Sequence, residues 1–305
     1  MSDPAINAQE SFEEKHLLDY YRKIGSETWV ESGVVWNSIG FKIFRPTPPF
    51  KEISLSCEDL RSIWNRGALF LHYFTSDNCC YTPGWILLVQ DRNYNVDSIQ
   101  SPNRRHNIRW ALKRSAIEPI SIDFLKKVGH LHLEDTCNRQ GRPFGEAMLQ
   151  EWKEYLHAIE NNPLFEAWGI FNSGELASFQ VYYSSGGGRH IDVTYSRTHL
   201  LKNHPVDALV YAYTHNAMSR EEVAYVSYGR RPLIGEKSSL VSFKESMGFK
   251  QVPMKERLEV NPRIKAAFFG QLKSVYGLVA KTFSARSVKC QLMSGVCETL
   301  CHQVK

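Results

Sequence analysis

The clearest hydrophobic pattern lies in the second half of the chain. Apolar residues at helical spacing predict a helix over Gly145–Glu160, and the Asn-Asn-Pro sequence that follows it is typical of a helix end. Three apolar runs separated by glycine-containing turns then predict an antiparallel meander of strands, over Phe165–Phe171, Leu176–Tyr183 and His190–Tyr195. The remaining pattern predicts a helix, a strand, a helix and a strand, over His204–Met218, Val223–Tyr228, Ser238–Met247 and Lys250–Val260. This half therefore has the order β-β-β-α-β-α-β after its leading helix.

The first half has a related pattern. After a polar leader and a helix in residues 1–25, apolar runs predict strands over Trp29–Trp36, Phe41–Phe44, Leu69–Phe74 and Trp85–Gln90. A loop with Asn and Pro turn signals leads to a predicted helix, a short strand and a further helix, over Asn103–Arg114, Glu118–Ile122 and Ile122–His132. The order strand, loop, helix, strand at Trp85–Ile122 thus occurs again at Val223–Val260, without obvious sequence identity.

The repeated order predicts an α/β (α+β) protein with two lobes, built from mixed sheets flanked by helices. The predicted boundaries are residues 1–140 for the N-terminal lobe, 141–262 for the C-terminal lobe and 263–305 for a C-terminal helical tail. A single large α/β sheet is the alternative. A chain of 305 residues is long for one compact domain and comfortable for two.

Composition and charge are those of a globular protein in a reducing compartment. The hydrophobic fraction of 43% is ordinary, and the net charge of +5 is compatible with anionic ligands such as CoA, nucleotides or RNA. Seven cysteines and a polar, acidic start without a secretory apolar segment predict reduced thiols and a cytoplasmic location. Apolar runs such as Trp85–Val89 are too short to span a bilayer. Cys297, Cys301 and His302 lack the second ligand pair of a zinc site, so we expect no metal.

Two motifs lie in the predicted repeated units. The first is R-x-x-[IL]-R-x-A-x-K on the helix of the first half, formed by Arg105, Ile108, Arg109, Ala111 and Lys113. The second follows the strand end Tyr228-Gly229 and a glycine loop, and reads F-K-x-x-x-G-F from Phe243 to Phe249. In their order and spacing, over roughly residues 65–260, these motifs resemble the GNAT acyltransferase superfamily. The duplicated form resembles its FemAB-type branch, which includes transferases that use aminoacyl-tRNA.

The resemblance implies where an acyl donor binds. In such folds two neighbouring parallel strands splay apart, here Arg189–Thr194 and Val223–Tyr228, and the donor lies in the opening. The resemblance therefore predicts a pocket lined by Tyr195, Lys202, Tyr228 and Lys244. It also predicts donor contacts from Lys202, Asn203 and His204 at the start of the next helix, where helix N-termini favour anions. CoA-binding members have a glycine-rich turn at that point, whereas residues 201–205 contain no glycine and end in a proline.

The second motif supplies the candidate catalytic cation. The ammonium of Lys244 can stabilise the oxyanion that forms when an amine attacks an acyl carbonyl. Phe243 would form a wall of the site, and the donor phosphates would bind to Arg230, Arg231 and Lys237. Gly248 would be a left-handed cap that ends the helix. The alternative interpretation is that Lys244 extends to solvent and that Gly248-Phe249 is only a helix end.

The amine must lose a proton, and the candidate bases or relays are Asp192, Tyr195, Tyr228 and His204. The sequence contains no G-x-S-x-G elbow and no convincing nucleophilic cysteine, which favours direct attack on the donor.

We therefore predict an N-acyltransferase that moves an acyl group from acyl-CoA to an amine acceptor. The alternatives are a FemAB-type transferase that uses aminoacyl-tRNA, and a non-catalytic GNAT-like scaffold that binds RNA or a protein partner. Arg105, Arg109 and Lys113 form a basic stripe that is either a solvated face or an RNA-binding surface.

Overall fold

A computed structural model describes residues 11–78, 81–230 and 238–263 of the chain. The predicted helical tail lies almost entirely outside the described residues. The described helices are α1 (Phe12–Lys23), α2 (Cys57–Asn65), α3 (Pro102–Leu112), α4 (Ile122–Arg139), α5 (Glu146–Ile159), α6 (Pro205–Met218) and α7 (Ser238–Ser246). None of them is long and apolar enough to cross a membrane.

Eleven strands in the described part of the chain form one mixed sheet. They are β1 (Thr28–Glu31), β2 (Val34–Ser38), β3 (Ile43–Thr47), β4 (Phe70–Phe74), β5 (Thr82–Val89), β6 (Ser115–Ile120), β7 (Phe165–Asn172), β8 (Glu175–Ser185), β9 (Gly188–Ser196), β10 (Tyr225–Arg230) and β11 (Lys250–Val260). Their order across the sheet is β1-β2-β3-β4-β11-β5-β10-β9-β8-β7-β6. The predicted class, a mixed α/β fold with helices flanking the strands, is confirmed, and the strands of both halves share a single sheet.

The sheet contains a repeat in which the two halves exchange a strand. Each half has an antiparallel meander (β1-β2-β3 and β7-β8-β9), then a helix (α2 and α6), then a strand parallel to the last meander strand (β4 and β10). The strand that follows pairs with the other half, because β5 lies against β10 and β11 lies against β4. β5 and β11 also pair with each other at the centre of the sheet. Each half is therefore completed by a strand from the other.

This repeat differs from the one that the sequence pattern indicated. The matched units were β5-α3-β6 and β10-α7-β11, but their strands do not take equivalent places in the sheet. β6 lies at the far edge, paired with β7 of the second half, whereas β10 and β11 are separated only by β5. The helix that follows β6, α4, also packs with the second half, since Leu125 and Leu133 join a core with Trp152 and Phe179. The boundaries of the two lobes stay predictions.

Two local features of the first half were missed. The predicted strand Trp29–Trp36 is a hairpin, β1 and β2, whose turn at Ser32-Gly33 has positive φ at both residues. That conformation matches the twist of a tight hairpin, and a serine in it gives a weaker turn signal than Asn-Gly. The helix α2 begins at a capping box in which Ser56 and Asp59 bond each other's backbone amides. The predictions of the meander β7-β8-β9, of α5 and of β11 are confirmed.

The helices cover both faces of the sheet. Helices α3, α6 and α7 pack on one face, where Tyr182 of β8 and Val226 of β10 join a core with Tyr213 and Met247. Helices α1, α4 and α5 pack on the other face. Because successive side chains of a strand alternate, Val181 points to that second core while its neighbour Tyr182 points to the first. We refer to these below as the α6 face and the α5 face.

A buried histidine lies near the start of β9, where we expect it to make the stability of the fold depend on pH. His190 is 3% exposed and stacks between Tyr183 and Phe50, with ring centroids 4.6 and 4.9 Å away. Its Nε2–H donates to the Ser185 carbonyl, while Nδ1 has no hydrogen-bond partner among the described residues. Burial lowers the pKa of His190 to about 4, because the charged ring would lose its hydration.

We expect the unfolding free energy to fall by about 2–3 kcal/mol from His190 alone between pH 7 and pH 4.5. The sign follows from the depressed pKa, since below pH about 6.5 the unfolded chain binds the proton that the folded chain excludes. Urea unfolding at both pH values tests this, with His190→Phe as the variant. The variant should lose less stability between the two pH values than the wild type. An equal loss in both proteins would contradict the assignment to His190.

Candidate active site

Two parallel strands part in the middle of the sheet. β9 and β10 pair only over Gly188–His190 and Tyr225–Ser227. Beyond this point β9 continues to Ser196 and stays paired with β8, whereas β10 continues to Arg230 and pairs with β5. The strands therefore stop bonding each other after His190 and Ser227. This is the pair of strands for which the family resemblance implied an opening, and the residues just beyond the last pair define the candidate site.

Lys244 is buried against the first side chain of β10 beyond that point. It is 6% exposed, and its Nζ lies 4.9 Å from the centroid of the Tyr228 ring. Phe243 and Phe249 pack edge-on against the same ring, with centroids 6.1 and 5.3 Å away. The alternative that Lys244 extends to solvent is therefore wrong. An ammonium held on an aromatic face away from bulk water acts through a lower effective dielectric constant than a surface lysine.

The end of α7 holds Lys244 in place. Gly248 has a φ of 89°, its amide donates to the Glu245 carbonyl, and the Phe249 amide donates to the Lys244 carbonyl. These two bonds are those of a Schellman cap, and the predicted left-handed role of Gly248 is confirmed. The hydroxyl of Tyr94 donates to the Met247 carbonyl at 2.7 Å, which ties the helix end to the loop before α3.

The Tyr228 hydroxyl begins a chain of polar groups across three strands. It lies near enough to the Thr194 side chain for that group to lower the Tyr228 pKa, and the Gln180 amide nitrogen donates to the Thr194 hydroxyl at 2.8 Å. The hydroxyl of Tyr182 then donates to Gln180 Oε1. Burial raises the pKa of Tyr228 to about 12, so its phenol is protonated at neutral pH and is a donor rather than a base. Sequence reasoning missed Thr194 and Gln180, because their proximity to Tyr228 depends on strand pairing.

Arg104 is a second residue that the sequence did not indicate. Its guanidinium lies 4.5 Å from the Phe243 ring centroid, pairs with Asp207 at 2.8 Å and donates to the Ser246 hydroxyl at 2.5 Å. It thus joins α3, α6 and α7. Two residues of the predicted basic stripe on the same helix already have partners within the protein. Arg105 donates to the Ile99 carbonyl, and Arg109 pairs with exposed Asp97.

The start of α6 differs from an anion site. Asn203 ends a short 3-10 helix, His204 takes a left-handed φ of 52°, and Pro205 begins α6 as predicted. Asp207 lies in the first turn and is 7% exposed, so its carboxylate already occupies the region that the helix dipole makes favourable for negative charge. Lys202 is exposed, and His204 lies edge-on to Trp110 of α3 with centroids 6.2 Å apart. Within the described residues, the ring contacts of Tyr228 are with Phe243 and Phe249, and none is with Lys202, Asn203 or His204.

Asp192 and Tyr195 face the other side of the sheet. β9 has a bulge at Asp192, because Val193 pairs with Val181 and Ile191 pairs with Tyr182, which leaves Asp192 as the extra residue. A bulge re-aims a side chain, and Asp192 points to the α5 face, where the Tyr155 hydroxyl donates to its Oδ2 at 2.7 Å. Tyr195 packs edge-on against Trp152 and burial raises its pKa to about 12. Tyr195 therefore belongs to the core of that face and does not meet Tyr228.

The Asp192 carboxylate lines a cavity of about 230 Å³ between the two halves of the chain. α1 forms one wall, β2 and β3 another, and the strands β7 to β9 the third. The lining residues are Leu17, Tyr20, Tyr21, Ile24, Ser26, Asn37, Ser38, Arg45, Thr47, Pro49, Phe165, Tyr183 and Asp192. Burial raises the pKa of the Asp192 carboxyl, and the Tyr155 hydroxyl and the Arg45 charge offset part of that rise. The Asp192 side chain is exposed to the cavity, and the raised pKa makes it a stronger base than an aspartate in open solvent.

The remaining predicted site residues lie at or beyond the edge of what the structure describes. Arg230 is the last residue of β10, and Arg231 and Lys237 lie outside the described residues. Their contacts with donor phosphates stay predictions. In the described parts of the chain, no group of three or more His, Cys, Asp or Glu side chains could hold a metal ion.

The chain has no significant match among curated protein sequences, but its fold is similar to that of several solved structures. No protein-family model matches the sequence, and no curated protein sequence matches it significantly. The structure is similar to a crystal structure of FemX, with a TM-score of 0.59 and 9% identity over 83% of this chain and 92% of that chain. The C-terminal domain of a putative lysylphosphatidylglycerol synthetase from Agrobacterium fabrum gives a TM-score of 0.56 and 10% identity, over 84% and 94% of the two chains. L-PGS from Bacillus licheniformis gives 0.53 and 13%, over 88% and 97%.

Proposed function

We propose that this protein is an acyltransferase, in which an amine attacks an activated acyl group directly in the opening between β9 and β10. The observation that carries the proposal is that the last pair of β9 and β10 is followed by a buried cation on one face of the sheet and by a carboxylate on the other. The buried ammonium of Lys244 lies against Tyr228 on the α6 face, and the Asp192 carboxylate faces the cavity on the α5 face. The fold shared with FemX and with lysylphosphatidylglycerol synthetases supports the same class, since the latter are named for an aminoacylated product.

The residues can divide the reaction as follows. The amine approaches from the cavity, and Asp192 accepts a proton from it so that the nitrogen lone pair can attack the acyl carbonyl. The carbonyl oxygen becomes an oxyanion, which the Lys244 ammonium stabilises. The tetrahedral intermediate then expels the thiol or hydroxyl of the donor. The protonated phenol of Tyr228 can donate the proton that this leaving group needs. The nitrogen loses its second proton to the resulting phenolate as the amide forms, and Asp192 releases the first proton to solvent.

The start of α6 bears on which of the two candidate donors, acyl-CoA or aminoacyl-tRNA, fits the protein better. An acyl-CoA would place its pyrophosphate against a helix N-terminus, but there the buried Asp207 already interacts with the dipole and with Arg104. A second anion would be repelled. The geometry therefore favours an aminoacyl ester, as carried by aminoacyl-tRNA, over acyl-CoA. The net charge of +5 and the exposed Lys113, directly after α3, are compatible with an RNA-borne donor.

A thermal melting screen of the full chain tests the donor. We expect aminoacyl-tRNA to raise the melting temperature, because a ligand at a hundred times its Kd adds about 2.7 kcal/mol to the free energy of unfolding. Acetyl-CoA and longer acyl-CoAs should raise it less, and deacylated tRNA separates binding of the RNA from binding of the acyl group. Stabilisation by acyl-CoA alone would reverse the donor assignment. Equal stabilisation by charged and deacylated tRNA, without transfer, would support a non-catalytic RNA-binding scaffold.

A further inference from the structure

We propose that the cavity at Asp192 selects a zwitterion, a small molecule with a primary ammonium at Asp192 and an anionic carboxylate or phosphate at Arg45. This inference rests on the proposed function, in which that ammonium belongs to the acyl acceptor. It names the acceptor's chemical class, which neither the fold nor the motifs specify. Three observations carry it. The Arg45 guanidinium has no hydrogen-bond or ion-pair partner among the described residues, and one oxygen of Asp192 accepts no hydrogen bond from them. The cavity that both groups line has the volume and the lining residues that suit a small molecule.

Arg45 interacts with Asp192 only through a longer-range electrostatic effect and forms no ion pair or hydrogen bond among the described residues. It lies on β3, is partly buried and lines the cavity. Among the described residues its guanidinium has no hydrogen-bond or ion-pair partner. Nearly every other partly buried arginine in the described chain has one, such as Arg104 with Asp207 and Arg257 with Glu259. Since a buried charge without a partner is unfavourable, an anion in the cavity would stabilise this arrangement.

Asp192 provides the opposite charge at a distance. Its Oδ2 accepts from Tyr155, and its other oxygen accepts no hydrogen bond from the described residues. Arg45 and Asp192 line one cavity but form no ion pair with each other. A molecule with a positive and a negative end can pair with both groups from inside this cavity. A ligand with only one of these charges would leave the other group unpaired.

The walls of the cavity suit an ammonium and limit the size of the ligand. The rings of Tyr20, Tyr21 and Tyr183 surround it, and aromatic faces attract cations. The Tyr21 hydroxyl bonds Thr47 at 2.7 Å, which fixes one of these rings. A cavity of about 150 Å³ holds a benzene molecule, so one of about 230 Å³ suits a ligand the size of a single amino acid. Leu17 and Ile24 add an apolar wall for a hydrocarbon side chain.

Titration calorimetry on the full chain tests the selection without any donor. The probes are L-leucine, O-phosphoethanolamine, isoamylamine, which has only the ammonium, and 4-methylpentanoate, which has only the carboxylate. We expect a zwitterion to bind about tenfold or more tightly than either single-charge probe, because each loses a charged hydrogen bond. Tighter binding of L-leucine assigns a free amino acid as the ligand, and tighter binding of O-phosphoethanolamine assigns a phosphate-bearing head group.

Variants of Arg45 make the test specific. Arg45→Met should bring the affinity of the zwitterion down to that of isoamylamine, while Arg45→Lys should keep part of the preference. Arg61→Met, which removes an exposed arginine of α2 outside the cavity, should leave all affinities unchanged. Melting curves establish that each variant is folded. Equal affinities of L-leucine, O-phosphoethanolamine and isoamylamine for the wild type, or an unchanged preference in Arg45→Met, would overturn the proposal.

The two proposals can fail separately. If a zwitterion binds through Arg45 but no donor acylates it, the selection stands and the proposed acyl transfer falls. If the protein acylates isoamylamine as well as L-leucine and O-phosphoethanolamine, and Arg45→Met does not change this, acyl transfer stands and the selection falls.

Discussion

Replacing Lys244 with methionine should lower turnover by about a hundredfold to a thousandfold and leave donor affinity nearly unchanged. The reason is that the ammonium would act on an oxyanion that exists only after the amine has attacked, so its loss raises the barrier without weakening the ground state. Methionine keeps most of the apolar side chain against Tyr228 and Phe249, so the variant should fold. Steady-state kinetics and donor titration on the same preparation separate kcat from binding.

Lys250→Met is the matched control for this variant. Lys250 begins β11, six positions after Lys244, and its side chain is exposed. Its loss should leave both turnover and affinity unchanged. If Lys244 instead binds a donor phosphate, Lys244→Met would weaken donor binding and preserve turnover at saturation. That result would remove the oxyanion role, and unchanged values of both would remove Lys244 from the site.

Replacing Asp192 with asparagine should lower kcat/KM by about a hundredfold to ten-thousandfold, the usual contribution of a positioned general base. Asparagine has the same shape and can still accept the hydrogen bond from Tyr155, but it cannot take a proton from the amine. The matched control is Asp19→Asn, which removes an exposed carboxylate of α1 that pairs with Lys23 at the surface. That variant should keep wild-type activity.

The pH profile gives a readout that a structural role of Asp192 would not change. Burial raises the pKa of this carboxyl, so activity should fall on the acid side at a higher pH than an ordinary aspartate would give. In Asp192→Asn the residual activity should lack that acid limb. An acid limb at the same pH in the variant, or activity within a few-fold of wild type, would show that another group is the base.

Most elements of the fold could be predicted because they depend on local patterns. The periodicity of α5, the proline at the start of α6 and the glycine after α7 each define a helix or its end from residues close in sequence. The hairpin at Ser32-Gly33 was missed because its turn signal is weaker than the Asn-Gly or Asp-Gly that a turn with two positive φ angles usually has. The exchange of β5 and β11 between the halves could not be predicted, since strand partners depend on contacts far apart in sequence.

The candidate site was predictable only where a motif contains its residues. Lys244, Phe243 and Tyr228 meet because β10 and α7 are consecutive along the chain. Arg104 lies in the motif-bearing helix of the first half, but its contact with Phe243 depends on packing between the halves. The orientation of Asp192 depends on a bulge of one residue, which simple strand alternation would have placed on the opposite face.

Arg45 has no sequence signal of its own. It stands between Phe44 and Pro46 in a short strand, where an arginine is typical of a solvated strand face. Only the tertiary structure brings it to the same cavity as Asp192, nearly half the chain away. The role proposed for Arg45 depends on the absence of a hydrogen-bond or ion-pair partner among the described residues. A sequence alone cannot show whether a charged side chain has such a partner.

The most direct test of acyl transfer is a single-turnover reaction followed by mass spectrometry. The donor carries a label in its acyl group, and the acceptors are primary amines that include L-leucine and O-phosphoethanolamine. The account predicts that the wild type and the controls Lys250→Met and Asp19→Asn form the labelled amide. Lys244→Met and Asp192→Asn should form it at least about a hundredfold more slowly. Donor binding by the wild type without any labelled amide, or amide formation at the wild-type rate by both variants, would contradict it.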